Sequence, residues 1–209
     1  MALTRRRIAA LAIAVGVAVA PARAQDAARP APADTIPAGF GSLRRDEVAV
    51  SVQVQGLTIR AIPLDEQVLR TLAPDAYRAL HALVASRARA LDGIRARTGL
   101  GVVQAWHVAF FNAQQGEARY DPRGMQLRSA GRDFRPLDVI ALVAGYDDGR
   151  LAQGRTADAI FVFDPAVQLG QPVTVTLAGV VTEAWADVIP RVERERSAVW
   201  SRATAARKP

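Results

Sequence analysis

From Glu47 to Gln55 apolar and polar residues alternate: Val48, Val50, Val52 and Val54 fall on one side, Ala49, Ser51, Gln53 and Gln55 on the other. A period of two with β-branched residues on one side predicts a half-buried strand. Gly56 marks a turn, "LTIRAI" predicts a second strand, and Pro63 ends it. The period then lengthens. In "LAPDAYRALHALVASRARALDGIRARTG" the residues Tyr77, Leu80, Val84, Ala88 and Leu91 recur at helical spacing, with Leu83 and Ile94 widening the stripe. Pro74 and Asp75 suit the first turn of one long helix, and Gly99 suits its end. From Val102 the pattern returns to strands. "VVQAWHVAFFN" is apolar on both faces, as a central buried strand is. "EARY", "MQLRS", "DFRPLDVIALV", "ADAIFVFD" and "PVTVTLAGVV" follow, separated by "DPRG", "AGR", "YDDG" and "QLGQ". Short strands with turn chemistry between them predict an antiparallel sandwich or barrel. "TEAWADVIPRVERERSAVWSRA" predicts an amphipathic C-terminal helix that Pro190 starts or kinks.

The ends of the chain show no such periods. "TRRR", then the uncharged apolar run Ile8–Ala20, then "PARA" up to Ala24 has the three parts of a secretory signal, with Gln25 as the new N-terminus. The run is short for a membrane anchor. "TRRRI" loosely matches a twin-arginine motif, but the general export route is expected. Residues 25–44, rich in Ala and Pro, are expected to be a disordered lead-in. A single globular domain is expected over 45–204 and a frayed tail over 205–209. The predicted location is periplasmic or extracellular.

Export changes the charge balance. Removing the four arginines of residues 1–24 from 27 basic residues leaves 23, against 20 acidic ones. A net charge of +3 gives little reason to expect a nucleic-acid partner. The chain has no cysteine, so disulfides, thiolate nucleophiles and cysteine-bound zinc are excluded.

The order of segments in Val102–Gly179 points further. A strand ending in "FFN" precedes "YDP", then "AGRDFRP", then "GRLAQGRTADAIFVFD", then "QPVTVTLAG". This order resembles the telokin-like, immunoglobulin-like sandwich of exported bacterial proteins. The resemblance implies a scaffold and a binding role, not a reaction. The expected fold is α+β: an antiparallel immunoglobulin-like β-sandwich with one long inserted helix and a C-terminal helix.

Candidate chemistry is sparse. His81 and His107 are the only histidines, neither lies in a catalytic or metal-binding signature, and there is no G-x-S-x-G. No cofactor and no bound metal are expected. His107, Glu117, Asp121 and Trp200 are the candidate binding residues: an imidazole in an apolar strand, two turn carboxylates and an indole on the last helix. The expected function is a non-catalytic binding or structural module of the cell envelope, with an envelope protein or surface component as partner. Two alternatives stand beside it. One is a small periplasmic hydrolase that brings at least two of Glu117, Asp121, Asp133 and Asp147 together in a pocket. The other is membrane-surface binding through the C-terminal helix, with Val199 and Trp200 outward.

Overall fold

Three two-residue turns set the hairpins. Gln55-Gly56, Ala130-Gly131 and Ala178-Gly179 all take positive φ, with 48° and 78°, 49° and 75°, and 47° and 79°. Two successive left-handed residues match the twist of the strands they join. The third turn corrects an expectation: "PVTVTLAGVV" is not one strand but two, folded back at Ala178-Gly179. The computed structural model describes residues 36–206. The proposed signal, most of the lead-in and the last three residues lie outside them.

The strands, numbered along the chain, are β1 (Val50–Val54), β2 (Leu57–Pro63), β3 (Gln104–Asn112), β4 (Ala118–Arg119), β5 (Met125–Ser129), β6 (Arg132–Phe134), β7 (Asp138–Ala141), β8 (Arg150–Leu151), β9 (Thr156–Phe163), β10 (Val173–Leu177) and β11 (Val180–Thr182). They form a five-stranded sheet, β1-β2-β3-β9-β7, a four-stranded sheet, β11-β10-β5-β6, and the small pair β4-β8. All the pairings are antiparallel. The protein is therefore α+β and sandwich-like, with open rather than closed sheets. Burial follows the pleat. Met125, Leu127 and Ser129 of β5 and Val173, Val175 and Leu177 of β10 are buried, while Gln126 and Arg128 are exposed. In the larger sheet Val50, Ile59, Val108, Ala159 and Phe161 form the matching inner face, all with no exposed area. The segment "DFRPLDVIALV", expected as one strand, is divided: β6 joins the small sheet and β7 the large one, with Pro136 between them.

The helices are α1 (Arg45–Val48), α2 (Glu66–Leu69), α3 (Pro74–Ser86), α4 (Ala88–Thr98) and α5 (Trp185–Ala205). The single long inserted helix is thus two helices. At the break the Ser86 hydroxyl bonds the Leu83 carbonyl at 2.7 Å. The Arg87 N–H reaches Val84 at 3.0 Å, one residue short of an α-helical bond. A serine that takes a backbone carbonyl competes with the ladder in this way. Only Leu80, Leu91 and Ile94 of the predicted stripe are fully buried, and Ala88 is exposed. Gly99 does end α4, in the left-handed region. α5 runs unbroken through Pro190.

Order begins earlier than residue 45. Ile36 is 1% exposed. Leu43 bonds Thr71 and Ala73 through its backbone at 3.1 and 2.8 Å. The chain can pass so closely because position 41 is glycine; a Cβ there would lie 2.3 Å from the Thr71 carbonyl carbon. Buried Glu195 of α5 holds this strap, accepting from Ser42 N–H at 2.7 Å, Ser42 Oγ at 2.9 Å and Arg202 at 2.8 Å. No spacing in the sequence links position 42 to position 195, so composition alone places residues 36–44 in the lead-in. Glu195→Ala should lower stability by about 1–2 kcal/mol, since it strips acceptors from charged and backbone donors at once. Urea denaturation measures it, and an unchanged midpoint would show that the strap does not depend on this carboxylate.

Candidate functional site

The two ends of the sandwich differ. At one end, aromatic rings close the gap between the sheets. Phe110 stacks on Tyr120 with centroids 4.5 Å apart, and Tyr146 lies 5.5 Å from Tyr120. Tyr120 Oη donates to the Tyr146 carbonyl at 2.6 Å, and Tyr146 Oη to the Pro122 carbonyl at 3.0 Å. Burial, helped by Asp147 and Asp148, pushes the Tyr120 hydroxyl up to about 12. Burial also pushes Tyr146 up. A raised phenol is stabilising below its unfolded value of 10.0, and that stabilisation fades as pH rises past it, because the unfolded chain loses its proton first. The urea midpoint should therefore fall between pH 10 and about 12, and Tyr120→Phe should flatten that fall.

The other end is open. Leu64 N–H donates to the Ala105 carbonyl at 2.8 Å, continuing the β2–β3 ladder past Pro63↔Trp106. The next opposed positions are Asp65 and Gln104. Asp65 is still extended, with φ −77° and ψ 133°. By the alternation of the pleat both side chains point to the inner side, where Trp106 points. They line a cleft of about 400 Å³ with Gln67 and Val68 of α2, Val167 and Leu169 of the loop after β9, and Trp185, Ile189, Val192, Glu193 and Arg196 of α5. Trp185 packs edge-on against Trp106, 5.7 Å between centroids, and donates Nε1–H to the Leu169 carbonyl at 2.9 Å.

The polar groups of this cleft are unevenly satisfied. Gln104 Nε2 is buried and has no hydrogen-bond partner among the described residues. Such atoms are rare in native folds; of the four among the described residues, this is the one on a residue that lines the cleft. Asp65 caps α2, its Oδ1 accepting from Gln67 N–H at 2.8 Å, but no cationic side chain donates to it. Burial raises its pKa from the ordinary carboxylate value, against two backbone N–H groups that lower it. Glu193 and Arg196 pair with each other at 3.0 Å, and Arg196 also touches Gln67 Oε1 at 3.3 Å. Apolar walls with a few convergent polar groups are the usual make-up of a small-molecule site.

The residues singled out from the sequence lie elsewhere, and none of the main clefts is lined by more than one of them. His107 is on the outer face of the large sheet, its Nε2 3.0 Å from Asp158 Oδ2 on the neighbouring strand β9. It borders a smaller hollow of about 150 Å³ with Arg45, Asp46, Arg60 and Ile62. Glu117 is exposed, 4.0 Å from Arg150. Asp121 caps its own turn, accepting from Arg123 N–H at 2.8 Å. Asp133 pairs with Arg128 across a hairpin, which holds its carboxyl below the usual range. Asp147 is exposed on the turn before β8. Trp200 is 42% exposed on α5 while its neighbour Val199 is fully buried. His81 stands 3.4 Å from Glu66, whose carboxylate also accepts from Arg70 and Tyr77 at 2.7 and 2.9 Å. Among the described residues no group of three His, Cys, Asp or Glu is placed to hold a metal.

Sequence reasoning misses Asp65 and Gln104. One signal for them exists: Gln104 is a polar residue at a position whose parity with Trp106, Val108 and Phe110 places it on the buried side of its strand.

No family model matches the chain. No curated protein matches it either. Among solved structures it is similar to the crystal structure of a functionally unknown protein from Listeria monocytogenes EGD-e. The two are 13% identical, the match covers 60% of this chain and 68% of that one, and the TM-score is 0.33.

Proposed function

We propose that the protein is an exported, non-catalytic binding module of the cell envelope, and that its ligand enters the cleft at the open end of the sandwich. The buried, unpartnered Gln104 Nε2 carries this reading: it is a donor already removed from water, on a residue that lines the cleft together with Asp65 and an apolar wall. Export is supported by the tripartite pattern of residues 1–24. Among the described residues no helix is long and apolar enough to cross a membrane. An immunoglobulin-like relationship belongs to the same reading, supported by two antiparallel sheets whose apolar faces are buried.

The test is recovery of a ligand. Mature protein incubated with envelope extract, then washed and examined by native mass spectrometry, should retain a small bound mass. Gln104→Leu should lose it, because the substitution removes the donor and keeps the bulk. A ligand retained equally by wild type and Gln104→Leu would place binding elsewhere and overturn the reading. So would the absence of any bound mass.

A further inference from the structure

We infer that the cleft recognises a protonated primary amine with a carbonyl oxygen beside it and an apolar side chain, the chemistry of an aliphatic α-amino acid or of a peptide N-terminus. This rests on the cleft being the ligand site, as proposed above.

Three walls of the cleft carry three kinds of group. On the first is Asp65, a carboxylate that accepts from a backbone N–H and from no cationic side chain. It needs donors, and an ammonium group brings three with a compensating charge. Burial already disfavours its charged form, and a cation arriving beside it would restore that form. The β2–β3 register, extended one position past the Leu64–Ala105 bond, sets Gln104 across from it, and the orphan Nε2 of Gln104 needs an acceptor such as a carbonyl or carboxylate oxygen. Cβ atoms opposed across antiparallel strands lie roughly 5 Å apart, which brings a donor and an acceptor within reach of one small ligand. The third wall is apolar: Val68, Val167, Leu169, Ile189 and Val192, with Trp185 behind them. Val192 is 6% exposed and Val167 3%, so these side chains form a fixed surface rather than a mobile rim.

Charge favours the same ligand. Arg196 pairs with Glu193 at 3.0 Å and also acts on Asp65, so one guanidinium is shared between the two carboxylates that line the cleft. An anionic ligand without an amine would meet this excess of negative charge. The indole of Trp185 is 1% exposed, so its face is not offered for stacking a sugar ring.

Isothermal titration with four probes tests this: L-leucine, L-leucyl-glycine, N-acetyl-L-leucine and N-acetyl-L-leucinamide. The first two carry the amine and the last two lack it. L-leucine, L-leucyl-glycine or both should bind, and N-acetyl-L-leucine should bind about 10- to 100-fold more weakly, the range set by one charge-assisted hydrogen bond. Preference between the two amines separates a free amino acid from a chain terminus. Asp65→Asn keeps a good helix cap, so it should leave the melting temperature nearly unchanged while weakening amine binding by a similar factor. If the acetylated probes bind as well as the amines, and Gln104→Leu abolishes that binding, the amine inference is wrong while the cleft remains the ligand site. If no probe binds but an extract ligand is retained through Gln104, the inference fails in the same way. If Gln104→Leu alters no binding at all, both readings fall together.

Discussion

Trp106→Ala should destabilise the protein by about 4 kcal/mol, the largest loss expected from truncating any single side chain. Trp106 has no exposed area and sits in the central strand β3, opposite Pro63 on one side and Phe161 on the other. It meets Trp185 edge to face at 5.7 Å, so its removal opens a void that reaches the floor of the cleft. The chain has no disulfide to limit the damage. A domain is typically stable by only about 5–15 kcal/mol, so the variant should lose a large part of its margin in urea denaturation. Trp106→Phe separates volume from polarity. The indole Nε1 of Trp106 is buried without a partner among the described residues, so phenylalanine removes an unsatisfied donor along with a modest volume. Its cost should stay below about 1.5 kcal/mol. Trp185→Phe should cost more than that, because it leaves the Leu169 carbonyl without its 2.9 Å donor. A larger loss for Trp106→Phe than for Trp185→Phe would mean that the Trp106 N–H has a partner, against this expectation.

The periods of the sequence carried much of this fold. Alternation located β1, because one of its faces lies in the core and burial imposes a period of two, while apolar runs bounded by turn residues located β2, β3, β5 and β9. What periodicity missed were events of one or two residues. Ala178-Gly179 reverses the chain inside an apolar run, and Ala178 at φ 47° is not a residue whose type announces a turn. At the helix break Ser86 bonds Leu83, but Ser197 and Ser201 bond carbonyls of the unbroken α5 in a similar way, so the residue type does not announce the break. Pro136 does break an apolar run visibly, but only the pairing shows that its two halves join different sheets.

The cleft was less legible, for a different reason. Asp65 belongs to a loop–helix junction, Gln104 to a strand start and Arg196 to a helix far along the chain, so no local spacing encodes their meeting. Glu117 and Asp121 draw notice because they stand in a residue-rich stretch, Trp106–Gly124, yet turn chemistry and a surface ion pair account for them. His107, the other residue of that stretch with apolar neighbours, has its carboxylate on a different strand, 51 positions away.

One residue of that stretch does more than its neighbours. Asn112, at the end of β3, has no exposed area. Its Nδ2 donates to the Gly116 and Leu151 carbonyls, both at 2.9 Å, and its Oδ1 accepts from Gln114 N–H at 3.0 Å. These three bonds tie the loop after β3 to strand β8. Asn112→Leu keeps roughly the same bulk and removes all of them. The Leu151 carbonyl bond is buried, so that acceptor has no water to turn to, whereas Gln114 and Gly116 are exposed and can be resolvated. The expected loss is therefore about 3 kcal/mol, less than three full desolvation penalties and more than one. Hydrogen exchange should localise it, with protection lost first at Gln114, Tyr120 and Leu151 while β10 stays protected. Asn112→Asp asks a sharper question, since a carboxylate keeps the bond from Gln114 N–H but faces two carbonyls it cannot donate to when ionised. That variant should be at least as unstable as Asn112→Leu at neutral pH and recover part of its stability as pH falls and the carboxyl gains a proton. A stability independent of pH in Asn112→Asp would mean that the two carbonyls do not depend on the donor at position 112.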